Sequence, residues 1–248
     1  MDHAAMGHEM PLPDNAPRTL IPVPTDADRA AAFPPVQGHA AHDKRTHSYW
    51  LLDRLEAWDA DEGTAVGWDA TAWIGGDIHR VWLRSEGETI DGDIESADVE
   101  VLGGRTIARW WDVVAGVRHD FGEGPSQTFA AIGVMGVAPG KYEVEATAYL
   151  GTSGQTALEI EAEYDTLLTN RLILQWRGEA GFFGKDDPER GVGSGLSTME
   201  VGARLRYEVN RRFAPYVGVE YERAFGGTAD FRPVDHDTRV VVGVRIWF

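Results

Sequence analysis

The stretch that most narrows what this chain can become is Thr238–Phe248. Its even positions carry Val240, Val242, Val244, Ile246 and Phe248, and its odd positions carry Arg239, Val241, Gly243, Arg245 and Trp247. A side-chain period of two belongs to a strand, and the two faces differ: one is apolar throughout, while the other holds two arginines. About ten residues is the length a tilted strand needs to cross a bilayer. If the apolar face meets lipid, the arginines face an interior, and every other strand must obey the same rule. A charge placed at Val242 is then costly, and one at Gly243 milder, provided the interior has room.

Upstream, the alternation runs from about Tyr49 to the end. Segments of strand length centre near Leu52, Ala70, Trp82, Val99, Ala115, Val134, Ala146, Glu161, Trp176, Ala203, Gly218 and Val242. The seventh sets Tyr142, Val144, Ala146, Ala148 and Leu150 against Glu143, Glu145, Thr147 and Tyr149; the eighth sets Leu158, Ile160, Ala162 and Tyr164 against Glu159, Glu161, Glu163 and Asp165. In the sixth, Phe129–Ala138, small and apolar residues fill both faces, and its parity stays open.

Composition permits a membrane barrel and removes several rivals. The net charge of −17 excludes a nucleic-acid partner, which needs clustered cations. With no cysteine, disulfides, thiolate ligands and cysteine nucleophiles are excluded. No apolar run is long enough for a membrane helix, but alternating strands cross with modest average hydropathy. Residues 1–10 lack the basic start and apolar core of an export leader. Catalysis finds no nucleophile motif and no singled-out acid and base pair, so no enzymatic activity is expected.

The connections carry an independent signal. Short turns are expected at 75–77, 103–107, 139–141, 169–171 and 210–212, alternating with longer ones at 86–92, 121–126, 183–195 and 225–237. Short turns at one end and longer loops at the other mark an outer-membrane barrel, with both termini on the periplasmic side. Trp50, Trp73, Trp110, Trp111, Tyr142, Tyr207, Phe213, Trp247 and Phe248 fall near the short-turn end, and Trp58, Tyr221 and Phe225 toward the other, as interfacial girdles do. The fold expected is all-β: a transmembrane antiparallel barrel of about twelve strands over residues 47–248 in outer-membrane lipid, closed by the last strand against the first.

Residues 1–46 differ in kind. Seven of the twelve prolines lie between Pro11 and Pro35, so neither helix nor ladder is expected there, only a disordered periplasmic extension. Met6, His8 and Met10 recur at every second position with His3 nearby, and His39, His42 and His47 form a looser group. Thioether sulfur suits Cu(I) and imidazole suits both copper oxidation states, so these residues are candidate metal ligands. The bland alternative is an incidental cluster on a mobile terminus.

The strand region also resembles a known family. Gly67, Trp68 and Asp69, then Gly75, Gly76 and Asp77, then Trp82–Gly87 are similar to the opening hairpins of the copper resistance protein B family. Trp111 and Asp112 with Ala115–Asp120 resemble its central strand. Leu158–Asp165 followed by Leu167–Gln175 is the most specific match. The resemblance implies an outer-membrane barrel of copper-exposed Gram-negative bacteria, working beside a periplasmic multicopper oxidase, with a His- and Met-rich N-terminal region that binds copper. In this chain that region is one compact cluster.

The inward parity collects Asp112, Arg118, Glu143, Glu145, Glu159, Glu161, Glu163, Arg177, Glu179, Glu200, Arg204, Arg206, Glu220, Glu222, Arg239 and Arg245. Acids and arginines packed in a narrow lumen should interleave as ion pairs. The preferred reading is a charge network that holds the barrel's shape; the functional one is a hydrophilic cation path. Met199, His79 and His119 fall on the outward parity, so copper capture is expected on the N-terminal residues, with the barrel sequestering or exporting the ion. The rivals are a general small-solute channel, a closed barrel anchoring a metal-binding tail, and a soluble barrel with a ligand pocket.

Overall fold

The computed structural model describes residues 23–32, 45–60, 63–122 and 124–248. The chain forms two separately packed units, Met1–His42 and Asp43–Phe248. In the first, Asp26–Ala32 is a helix, α1, which corrects the expectation that the proline-rich stretch holds none. No proline falls between Pro24 and Pro34, and the interval is alanine-rich. Thr25 caps it: its hydroxyl donates to Asp28 Oδ2 at 2.6 Å and accepts from the Asp28 N–H at 3.2 Å. The Thr25 hydroxyl, with the Thr25 backbone N–H that donates to the same oxygen at 2.8 Å, holds the exposed Asp28 carboxyl below the usual carboxylate range.

The second unit is a closed barrel of twelve antiparallel strands: β1 His47–Ala60, β2 Gly63–Gly75, β3 His79–Ile90, β4 Asp93–Ala108, β5 Trp111–Gly122, β6 Gln127–Ala138, β7 Tyr142–Gly151, β8 Thr156–Leu167, β9 Leu172–Phe183, β10 Gly195–Tyr207, β11 Phe213–Ala224 and β12 His236–Trp247. Each strand pairs with its sequence neighbours, and β12 closes on β1 with Leu51 opposite Trp247 and Leu55 opposite Val244. Beyond the ladder, Phe248 N–H donates to the Trp50 carbonyl at 2.9 Å. Val240 and Val242 are exposed on the outer face, whereas Val241 between them is 0 % exposed. No described helix is long and apolar enough to cross a membrane, so any crossing is by strands.

Three expectations about the barrel are corrected. The turn after β4 is Arg109–Trp110, not 103–107, because the Gly103 and Gly104 pair lies inside β4. Gly104 is there for space: a Cβ would sit 2.6 Å from the Trp82 indole nitrogen. The connection placed at 86–92 shrinks to Asp91–Gly92, both with positive φ, a tight hairpin signal that lets β3 and β4 extend. The asymmetry between the two ends thus rests on the connections after β9 and β11. The former contains a 3₁₀ turn, Pro188–Arg190, and the latter a short helix, α2, Gly226–Phe231.

The third correction concerns the girdle. Trp50, Trp110, Tyr142, Tyr207, Phe213 and Phe248 are exposed, but Trp58 is buried and Trp73 packs inward against Trp82. The open parity of β6 is settled by burial: Phe129, Ala131, Gly133 and Met135 turn inward, and Ala130, Ile132 and Val134 outward. One inner cluster joins Trp82, Leu102, Val114, Phe129, Ala131 and Tyr149; a second joins Trp58, Ala65, Tyr216 and Val241.

Candidate functional site

The lumen is built from the inward rows of all twelve strands, and its charges divide into two territories. On the β1, β10, β11 and β12 side, Arg204 Nε and Nη2 donate to the two oxygens of Glu56 at 3.0 and 2.8 Å. This is the planar fork that guanidinium and carboxylate geometries favour. Nη2 also donates to Glu220, and the Tyr216 hydroxyl donates to Glu56 at 2.9 Å. Arg239 Nε donates to Glu220 at 2.7 Å while its guanidinium lies 4.3 Å from the Trp58 ring. Arg204, Glu56 and Glu220 are all buried.

Other pairs cross the interior as rungs. Arg177 donates to Glu161 at 2.7 Å, to Glu200 at 2.5 Å and to Glu179, and lies 3.6 Å from Glu86 on β3. Arg118 donates to Glu159 and Asp120, each at 2.6 Å, with its guanidinium 4.9 Å from the Tyr149 ring. Arg84 pairs with Glu100 at 2.7 Å and with Glu145. Arg54 pairs with Glu86 and, at 3.6 Å, with Glu200. Arg206 donates to Asp165 at 2.6 Å, and Arg245 lies 3.0 Å from Asp53.

At the long-loop end, Arg190 of the 3₁₀ turn reaches back to Asp120 at 3.3 Å and to the Pro125 carbonyl at 2.9 Å. Gln127 donates to Asp187 at 2.8 Å, and Arg232 donates to Glu222 at 2.6 Å. The Ser194 N–H donates to Asp186 at 2.6 Å, which holds that exposed loop carboxyl below its ordinary range.

The territory of β5–β8 is different. A cavity of about 530 Å³ opens at the short-turn end and is lined by Asp112, Met135, Glu143, Glu145, Glu161 and Glu163 together with Arg80, Trp82 and Arg109. Nearer the middle, a cavity of about 120 Å³ lies among Asp69, Glu86, Glu159, Glu161, Arg84 and Arg118. Strand register sets a single row across the wall: Asp112 opposite Met135, Met135 opposite Glu145, then Glu161, Glu179, Glu200 and Glu222 in turn. Glu143 and Glu163 also face each other directly. Among the described residues, no group of three or more His, Asp or Glu side chains by itself has the geometry to hold a metal ion.

His3, Met6, His8, Met10, His39 and His42 lie outside the described residues. His47 opens β1, and His79 and His119 are exposed, the latter with Nδ1 2.9 Å from the Thr128 hydroxyl. Sequence reasoning missed Asp53, Arg54, Glu56, Asp69, Arg84, Glu86, Asp98, Glu100 and Met135 as lumen residues. In β1 the cause is a bulge: register shifts after Leu52 bury both Asp53 and Arg54, at 7 % and 6 % exposure, and reverse the parity beyond them. Met135 was hidden by the lack of contrast between the faces of β6. Its register against Glu145, an unmistakably inward residue, is the signal that finds it.

These features have relatives. A model of the copper resistance protein B precursor family matches residues 46–248. The copper resistance protein B homolog of Pseudomonas syringae pv. tomato is 52% identical over 255 residues, spanning 100% of this chain and 87% of that protein. Copper resistance protein B of Escherichia coli is 46% identical over 235 residues, spanning 93% and 79%. Among solved structures, the NanC porin in its rhombohedral crystal form aligns with a TM-score of 0.53 at 12% identity, over 78% of this chain and 98% of that one, a likeness of fold alone. The chain belongs to the copper resistance protein B family, and it is an outer-membrane β-barrel of copper resistance.

Proposed function

We propose that this barrel handles copper ions as cargo, with His3, Met6, His8 and Met10 as the capture ligands, His39 and His42 as a secondary pair, and the lumen as the route by which copper leaves or the place where it is held. The observation that carries this reading is the excess of carboxylate on the β5–β8 wall, in a cavity that opens toward the short-turn, periplasmic end. A carboxylate-lined, low-dielectric passage concentrates cations. Soft thioethers and imidazoles upstream supply selectivity that carboxylates lack. A periplasmic multicopper oxidase is the partner that the family resemblance implies for this role. Copper uptake into, or release from, liposomes containing the full chain tests the route. Flux above that of empty vesicles supports it; retention of bound copper without flux leaves sequestration.

A closed anchor is the second reading, favoured by the arginine rungs that cross the interior from Arg177 to Glu86 and from Arg84 to Glu145. The two readings part on conductance, which only an open lumen gives. Removing residues 1–10 should lower the Cu(I) stoichiometry, and an unchanged stoichiometry would overturn the capture site.

A further inference from the structure

The inward row Asp112, Met135, Glu145, Glu161, Glu179, Glu200, Glu222 is not what stability alone would select. Directly opposed residues of neighbouring strands sit about 4.5–5.5 Å apart, and like charges there repel. In the adjacent row arginines stand among the acids, with Glu163 opposite Arg177 and Glu220 opposite Arg239. The first row keeps every arginine out of itself. Strands of a barrel tilt against its axis, so a row of opposed residues climbs the wall. This one starts beside the Arg109–Trp110 turn, at the second residue of β5, and ends near the far end of β11.

A run of acids is no site by itself, but two further observations stand at the start of this one. Among the described residues, Met135 holds the sulfur that lies on an inward row; Met199 is exposed on the outer face. Met135 also packs against the Trp82 cluster, where leucine would pack as well. Trp82 is 8 % exposed and lines the same cavity, and its indole N–H finds no acceptor among the described residues. Its pyrrole edge lies over Gly104, on the short-turn side. A buried N–H without a partner, on a ring that lines a cavity, calls for an acceptor that arrives with a ligand, such as the water of a partly hydrated ion.

The flanking carboxylates keep coordination in hand. Arg80 takes Oδ2 of Asp112 at 2.7 Å, and Arg84 takes Oε1 of Glu145. The second oxygen of each accepts no hydrogen bond from a described residue. Glu143, lining the same cavity, forms no ion pair with any described residue. We infer that Met135, flanked by Asp112 and Glu145, is a Cu(I)-binding site inside the lumen, standing at the periplasmic start of a carboxylate row that leads to the opposite mouth. This rests on the copper-cargo reading above and adds to it a soft ligand within the barrel, the element that would distinguish copper from hard cations.

The test uses the full chain in detergent with ¹³C-labelled methionine methyls, titrated with Ag(I), a redox-inert stand-in for Cu(I). The Met135 resonance, assigned by its loss in Met135→Leu, should shift in a saturable step, while the Met199 resonance, assigned with Met199→Leu, stays still. Glu145→Gln should weaken that step by about tenfold or more, as loss of a supporting ligand does. A Met135 methyl unmoved at Ag(I) levels that saturate other methionines overturns the site. Copper flux that persists beside a silent Met135 removes only this inference. A responsive Met135 without flux removes the export reading and leaves the site standing.

Discussion

The wall made by β10, β11, β12 and β1 and the wall made by β5–β8 treat charge in opposite ways. On the first, Arg204 is held by both oxygens of Glu56, Glu220 is shared between Arg204 and Arg239, and Tyr216 and Trp58 seal the group from water. On the second, Glu143 faces Glu163 and Glu145 faces Glu161 with no arginine on either strand. The acids of these two strands are answered from other strands: Glu145 by Arg84 on β3, Glu159 by Arg118 on β5, Glu161 by Arg177 on β9 and Asp165 by Arg206 on β10. Buried charge that is fully paired keeps a barrel shut; charge left in excess beside a cavity is available to something that arrives. On the copper-cargo proposal, the arginine wall therefore belongs to architecture and the acid wall to cargo.

The largest way to break this contrast is Arg204→Met. Glu56 loses its arginine and stays buried with one phenol hydroxyl, while Glu220 retains Arg239. Removing one partner of a buried pair costs about 3–5 kcal/mol because the other charge is stranded. Reversible urea unfolding in lipid vesicles measures it. Adding Glu56→Gln should recover much of the loss; a double variant no better than the single one would mean that Arg204 acts through packing instead.

Next comes the outer face. Val242→Arg, mid-strand and exposed to lipid, should cost about 2–4 kcal/mol in the same assay. The milder effect expected for a charge at Gly243 does not survive the structure. A Cβ there would lie 2.6 Å from the Tyr216 hydroxyl and ring and 2.7 Å from the Leu55 carbonyl. Even Gly243→Ala should therefore cost about 1–3 kcal/mol by overpacking and push Tyr216 off Glu56. A neutral result for Gly243→Ala would show that this wall is looser than its contacts imply.

What could be read in advance follows from where the contrast between faces is strong. Strands such as β7, β8, β10 and β12 set acids or arginines against aliphatics, and parity alone orients them. Parity failed where geometry interrupts the period, as at the Asp53 and Arg54 bulge, and where both faces are small, as in β6. The Asp91–Gly92 turn was legible as chemistry, but the polar ends of β3 and β4 read as loop because their glutamates face a wet lumen. The α1 helix was obscured by counting prolines without noting the gap between Pro24 and Pro34. The acid row with Met135 could not be seen from any single strand, since it exists only through the register between neighbours.

The smallest effect should carry the opposite sign. Glu143 opposes Glu163 and has no ion-pair partner among the described residues, so Glu143→Gln removes a direct like-charge pair and keeps shape and polarity. It should stabilise the barrel by about 0.2–1 kcal/mol, the size of a cross-strand pair term. In liposomes the same variant should slow cation entry at the periplasmic mouth, because it removes one of the charges that line the cavity there. A gain in stability joined to a loss of flux is the signature of a residue kept for cargo at the expense of the fold. If Glu143→Gln destabilised the barrel instead, the acid wall would be as architectural as the arginine wall, and the division between them would fall.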